Sequence, residues 1–335
     1  MPLAMTDTTH VPSSACGATL PRTALVLSKE HLELAGPPPE GARLALWDDL
    51  VDGRIEPESV EFALLGGFQS RELRERLRDL PNLVAVRTVS IGYDWLVDHL
   101  PPGVAVYNSS DVMTDTTAET GALGLIAALR AFPEHLQAQR DHRWIGHDRR
   151  GATEHGVQGV VGSTILVLGQ GGVGRGIAER LEAFKARVVR FARTTRTGAR
   201  GERVHAFTEL DQWLPLADAV SLALPLNVGT ERLVDADFLS RMKPGAVLGN
   251  VGRGRVVDTD ALIAAAREGR VRAALDVVDP EPLPADHPLW DVPGVSITPH
   301  AGASSRHMRD NIGPALAAMA GAYLRGEDLG APAFS

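Results

Sequence analysis

Residues 165–174 read Ile-Leu-Val-Leu-Gly-Gln-Gly-Gly-Val-Gly. The apolar run Ile165 to Leu168 suits a buried strand. It stops at Gly169, Gly171 and Gly174, which fit G-x-G-x-x-G. Residues 175–184 follow with Ile177, Ala178 and Leu181 on one helical face. The motif alone is weak, but between a strand and a helix it describes a dinucleotide-binding turn. Gly169 permits the tight turn. Gly171 lets the backbone approach a pyrophosphate, and Gly174 lets helix and strand pack closely. The helix N-terminus then offers free N–H groups to phosphate.

A second strand is expected over 187–191, running into Ala192-Arg193-Thr194-Thr195-Arg196. An NAD site usually places an acid there, roughly 20 residues past the glycines, for the ribose 2′-hydroxyl. Here a small residue is followed by Arg193, Thr194 and Arg196. Guanidinium groups attract a 2′-phosphate that an acid would repel. The expected cofactor is therefore NADP (NADPH) in preference to NAD.

Short apolar runs at 24–27, 44–47, 62–65, 83–86 and 104–107 precede the fingerprint. Further runs at 219–224, 246–249, 273–278 and 295–298 follow it. Helix-like segments separate them at 70–80, 207–214, 235–242 and 258–268. Longer ones are expected over 114–136 and 306–324. Alternation of this kind implies α/β architecture with doubly wound parallel sheets. The expected division is a disordered tail over 1–21, a substrate domain over 22–113 plus 304–335, and a dinucleotide domain over 114–303, with a cleft between the domains.

The 335 residues are 44% hydrophobic and 23% charged, with net charge −8. That suits a soluble globular chain of two domains and argues against nucleic acid or an anionic membrane as partner. No apolar run is long enough to span a bilayer. The Thr-, Ser- and Pro-containing N-terminus lacks the pattern of a signal peptide. The one cysteine, Cys16, allows no intramolecular disulfide, and a cytoplasmic location is expected.

Three segments stand at expected strand ends: Asn250-Val251-Gly252-Arg253-Gly254, Asp276 to Leu283, and Thr298-Pro299-His300-Ala301-Gly302. Ligands of open α/β sheets bind outside the carboxyl ends of strands. An arginine, an acid and a histidine gathered there suit reduction of a 2-keto acid. Arg253 can hold the substrate carboxylate with its planar fork and polarise the keto oxygen. His300 can give that oxygen its proton. Glu281 can fix the tautomer of His300 and favour the imidazolium. No metal is called for.

These residues, with Val89-Ser90-Ile91-Gly92-Tyr93-Asp94, the stretch 111–119 and Met242-Lys243-Pro244-Gly245-Ala246, resemble the D-isomer-specific 2-hydroxyacid dehydrogenase family. The resemblance covers roughly residues 83 to 310. Within the family the chain most resembles the NADP-using glyoxylate/hydroxypyruvate reductases. It implies two flavodoxin-like domains, a homodimer, and hydride transfer between NADPH and a 2-keto acid giving a D-2-hydroxy acid. It carries cofactor contacts onto Gly172, Val173, Arg193, Thr194, Leu224, Pro225, Val251 and Asp276. It carries substrate contacts onto Ser90, Ile91, Gly92, Arg253 and His300. Two departures from other members narrow the substrate. Ile91 stands where a phosphite-oxidising member carries lysine, and Glu281 stands where formate dehydrogenases carry Gln. A nucleotide-sensing, corepressor-like protein on the same fold is a second reading, and a reductase of an unusual 2-keto acid in a specialised pathway is a third. Arg253, Glu281 and His300 together favour an enzyme.

Overall fold

A computed structural model describes residues 20–66, 74–145 and 157–334. It contains two parallel sheets. The first orders its strands β2-β1-β3-β4-β5 and comprises Arg22–Val26, Ala42–Leu46, Val60–Leu65, Ala85–Thr88 and Ala105–Tyr107, numbered β1 to β5 along the chain. The second has the order β13-β12-β11-β10-β6-β7-β9-β8. Its strands are β6 Thr164–Leu168, β7 Arg187–Ala192, β8 Arg196–Thr197, β9 Arg203–Ala206, β10 Ala219–Leu222, β11 Ala246–Asn250, β12 Val271–Leu275 and β13 Val295–Ile297. Among the described strands only the β8–β9 pair is antiparallel.

Both sheets are covered on two faces, which is why their strands read as apolar runs rather than alternating ones. One face of the first sheet buries Trp47, Leu77, Leu80, Leu83 and Leu96. The other receives Leu316, Ala320 and Leu324 of the helix Arg306–Arg325 against Ala24, Val26 and Phe62. The second sheet packs the helices Ser110–Leu129 and Gly172–Ala183 on one face, through Leu125, Ile177 and Leu181. The helices Ala236–Arg241 and Thr259–Arg267 lie on the other, through Phe238, Leu262 and Ile263. Side chains of Asp235, Asp258 and Ser305 each accept the backbone N–H three residues on, supplying an N-cap.

The single helix expected over 114–136 is two, Ser110–Leu129 and Phe132–Arg140. The break is at Ala131, in the left-handed region at φ 52°. Pro133 follows, and its missing N–H is tolerated only in a first helical turn. The helix expected over 207–214 is a pair of 3-10 turns, Phe207–Gln212 and Leu214–Leu216, with Pro215 in the second. Of the helix expected over 70–80, residues 70–73 lie outside the described residues, and Arg76–Asp79 forms a 3-10 turn. The tail expected over 1–21 lies outside them up to residue 19. No described helix is long and apolar enough to cross a membrane.

Candidate active site

The fingerprint glycines occupy three different environments. Gly169 has φ 104°, and a Cβ there would lie 2.2 Å from the carbonyl oxygen of Ala223 at the end of β10. At Gly174 a Cβ would lie 2.0 Å from the carbonyl oxygen of Gly169. At Gly171 it would meet nothing within 4 Å. The first two positions are closed by the protein itself, while the third faces open space above the N-terminus of the helix Gly172–Ala183. This is the division of labour a pyrophosphate cradle needs. The strand order reverses between β6 and β10, so the cradle lies at the topological switch point. Val173 and Val251 are half-buried, Leu224 is buried and Pro225 exposed around it.

The segment past β7 is exposed from Arg193 to Thr197. Neither Arg193 nor Arg196 has an acidic partner among the described residues. Their neighbours, in contrast, are tied down. Arg200, at the tip of the β8–β9 hairpin, bonds Glu182 of the fingerprint helix at 2.8 Å, and the same Glu182 binds Arg190 of β7 at 2.7 Å. The Thr195 hydroxyl donates to Glu209 at 2.9 Å. His205, Thr195 and the Ala206 N–H all donate to Glu209, and together they hold its carboxyl down to about 2. Two unpaired guanidinium groups on an anchored loop fit a 2′-phosphate.

The residues expected to carry chemistry stand at the C-terminal ends of three neighbouring strands, β11, β12 and β13. Glu281 accepts a hydrogen bond from Nδ1 of His300, leaving Nε2 as the nitrogen that can face a ligand. Both side chains are part-exposed, at 36% for Glu281 and 44% for His300. Asp276, nearly buried, shapes the turn that carries the histidine. Its carboxylate accepts from the Thr298 hydroxyl and, at 2.9 Å each, from the N–H groups of Ala301 and Gly302. The His300 N–H reaches the Asp276 carbonyl at 2.8 Å, and His300 itself has φ 51°. Asp276 thus holds the Thr298 side chain before the histidine and the backbone N–H groups of residues 300–302, which over-determines an uncommon conformation.

Arg253 reaches across to the first sheet. Its Nε and Nη2 contact Asp94 at 2.9 and 2.8 Å, and its Nη1 donates to the Gly252 carbonyl at 2.9 Å. A Cβ on Gly92 would lie 1.3 Å from Nη2, so the guanidinium rests on the bare backbone of the 90–94 loop. Inside that loop the Ser90 hydroxyl donates to the Gly92 carbonyl at 2.6 Å, and the Asn108 amide donates to the Ile91 carbonyl at 2.7 Å. The Trp95 indole donates to the Gly92 carbonyl at 3.1 Å. The carbonyls are engaged, whereas the N–H groups of Ile91 and Gly92 have no acceptor among the described residues. Two free amides beside a guanidinium form a donor set that suits a carboxylate. Gly254 joins this arginine loop to the acid: a Cβ there would lie 1.8 Å from the Val278 carbonyl oxygen.

Asp94 closes the 89–94 loop, and its residue type alone gives it no role there. Nothing in the spacing announces an ion pair 159 positions away. Trp47 is buried beneath the first sheet, with its indole N–H on the Leu64 carbonyl at 2.8 Å. Trp144 is 97% exposed. Residues 67–73 and 146–156 lie outside the described residues. Among the described residues no group of three or more His, Cys, Asp or Glu is arranged to hold a metal ion.

Residues 123–302 match the family model described as D-isomer specific 2-hydroxyacid dehydrogenase, NAD binding domain, which is more than half of the chain. The chain belongs to that family. Among its relatives is a glyoxylate/hydroxypyruvate reductase B from Pectobacterium atrosepticum, 36% identical, with 70% of this chain and 74% of the other aligned. The human glyoxylate reductase/hydroxypyruvate reductase is 33% identical over 84% of this chain and 88% of its own length. The solved NADPH-dependent glyoxylate/hydroxypyruvate reductase of Sinorhizobium meliloti, in complex with NADP and malonate, superposes with a TM-score of 0.72. It is 27% identical, and the match covers 94% of this chain and 97% of the other. Family membership accounts for the fingerprint, the strand-end triad and the two-sheet body together.

Proposed function

We propose that this chain is an NADPH-preferring reductase of small 2-keto acids, with glyoxylate and hydroxypyruvate as representative substrates and the 2-hydroxy acids as products, of D configuration wherever C2 is a stereocentre. The observation that carries the reading is the pairing of a carboxylate site with a proton donor. Arg253 and the amides of Ile91 and Gly92 form the first, and the Glu281–His300 pair forms the second. The bound cofactor supplies the hydride. Arg253 and the two amides hold the substrate carboxylate, which leaves the keto group as the other end to be oriented. Arg253 also offers positive charge to the carbonyl oxygen as electron density builds there. His300, bonded through Nδ1 to Glu281, delivers the proton from Nε2 to that oxygen. Asp276 keeps the histidine turn in place through the N–H groups of Ala301 and Gly302. Arg193 and Arg196, with Thr194 between them, bind the 2′-phosphate and favour NADP over NAD.

The reading includes a division of the chain into a substrate domain, 22–113 plus 304–335, and a dinucleotide domain, 114–303. It also includes a homodimer. Leu123, Phe132, Leu136, Trp144 and Val161 are exposed apolar residues on one stretch around the helices Ser110–Leu129 and Phe132–Arg140. Burial against a second copy is the simplest use for such a surface. The proposed compartment is the cytoplasm, where a chain whose one cysteine is Cys16 needs no disulfide.

The test is NADPH oxidation with glyoxylate, hydroxypyruvate, pyruvate and bulkier 2-keto acids, repeated with NADH. Turnover of the small acids with higher kcat/KM for NADPH supports the reading. A protein that binds NADPH and is inert across the whole panel would refute it.

A further inference from the structure

The C-terminal segment ends on the substrate loop. The helix Arg306–Arg325 stops at Gly326, in the left-handed region at φ 72°, and the chain then runs back to the first sheet. There it adds a short antiparallel bridge to β5, an edge strand of that sheet. The Val106 N–H donates to the Phe334 carbonyl at 2.8 Å, and the Ala333 N–H donates to the Val106 carbonyl at 2.8 Å. Covering an edge strand would explain this much. The side chains go further. The Tyr93 hydroxyl donates to the Ala333 carbonyl at 3.0 Å, and the rings of Tyr93 and Phe334 lie 6.1 Å apart at 37°.

Tyr93 sits between the two residues that touch Arg253. Gly92 before it supports the guanidinium, and Asp94 after it carries the ion pair. The inner side of Tyr93 packs on the core of the first sheet with Trp95 and Leu100. Its outer side meets the C-terminal segment. A tyrosine gripped from both sides fixes the backbone on which the carboxylate site is built. We propose that residues 330–334 act as a strap on Tyr93, so that Tyr93 and Phe334 are positioning residues for keto-acid binding. The proposal rests on the assignment of the 90–94 loop and Arg253 as the carboxylate site.

The test compares the full chain with a version ending at Gly330 and with the variants Tyr93→Phe and Phe334→Ala. Tyr93→Phe keeps the ring and removes only the hydroxyl bond to Ala333, so it is the variant that leaves folding intact. Steady-state kinetics with glyoxylate give KM and kcat, fluorescence titration gives the NADPH Kd, and amide hydrogen exchange reports on residues 89–96. The expected result is a KM raised about 3-fold in Tyr93→Phe and about 10-fold in the shortened chain. The NADPH Kd should stay unchanged, and exchange should quicken in 89–96. A lower melting temperature with KM and 89–96 exchange unchanged would reduce the segment to an edge cover and overturn the proposal. A wild-type chain inert on every keto acid would instead refute the functional reading, and the exchange comparison would still decide whether the strap holds the loop.

Discussion

Replacing Gly92 by alanine tests the carboxylate site at its tightest point. The added methyl would fall 1.3 Å from Nη2 of Arg253 and 2.3 Å from its Cζ. An ordinary contact is about 3.5 Å, so the guanidinium must retreat by roughly 2 Å. Gly92 has no positive φ, so the backbone itself accepts alanine without strain. The clashing atoms are the far end of a flexible side chain, so the fold accommodates the change by moving Arg253. That movement breaks the contacts to Asp94 at 2.9 and 2.8 Å and takes the fork away from the substrate. A hydrogen bond to a charged group contributes about 1.5–3 kcal/mol, or roughly 10- to 150-fold in binding. Misplacing a positioning group by about 1 Å can cost on the order of 100-fold in rate. The expected outcome is a fall of about 100-fold in kcat/KM for glyoxylate. The NADPH Kd should stay within about 2-fold and the melting temperature within a few degrees, because the added methyl meets only the far end of a flexible side chain. Stopped-flow kinetics with saturating NADPH, fluorescence titration and a thermal melt measure the three quantities. A Gly92→Ala enzyme that keeps kcat/KM within about 3-fold of wild type would refute the assignment of Arg253 and this loop to the substrate.

Three further outcomes follow from the same geometry. His300→Ala should lower kcat by about 100-fold or more, and Glu281→Gln by about 10-fold, with NADPH affinity kept in both; kinetics with the cofactor Kd measured separately check this. Arg193→Ala and Arg196→Ala should each lower kcat/KM for NADPH by roughly 10-fold, the loss of one charge-assisted contact, and leave the value for NADH unchanged. Glu209 is held at about 2 against an ordinary 4.5, so its contribution to stability is fully present above pH 4.5 and is lost as pH falls toward 2. Glu209→Gln should therefore melt below wild type at pH 7, with the gap closing as acid brings the wild-type carboxyl to its neutral form; melts across that range read it directly.

What the sequence disclosed depended on how local the physics was. The central strands were legible because they are buried on both faces, so Ile165 to Leu168 and Ala246 to Leu248 stand out as apolar runs. The fingerprint was legible because three glycines obey separate local demands, and the structure fits each one. The strand-end positions of Arg253, Glu281 and His300 followed from the alternation of elements. The β8–β9 hairpin has no apolar run to mark it: β8 is exposed, and the hairpin is tied down by Arg200 of its turn on Glu182 and by Arg203 of β9 on Glu209. The break at Ala131 depends on one left-handed residue that is not glycine. Asp94 could not be assigned because its partner is a tertiary contact, and no period or motif encodes one. For Glu209 the bonds to His205 and Ala206 are local, and only its bond to Thr195 comes from a distant part of the chain.

The central claim is that this chain moves hydride from NADPH to the keto carbon of a 2-keto acid held by Arg253. A single turnover with NADPH doubly deuterated at C4 and with glyoxylate tests it most directly, with mass spectrometry of the product. The account predicts glycolate carrying one deuterium at C2, formed more efficiently from NADPH than from NADH. Unlabelled product, or no oxidation of bound NADPH by any 2-keto acid, would contradict it.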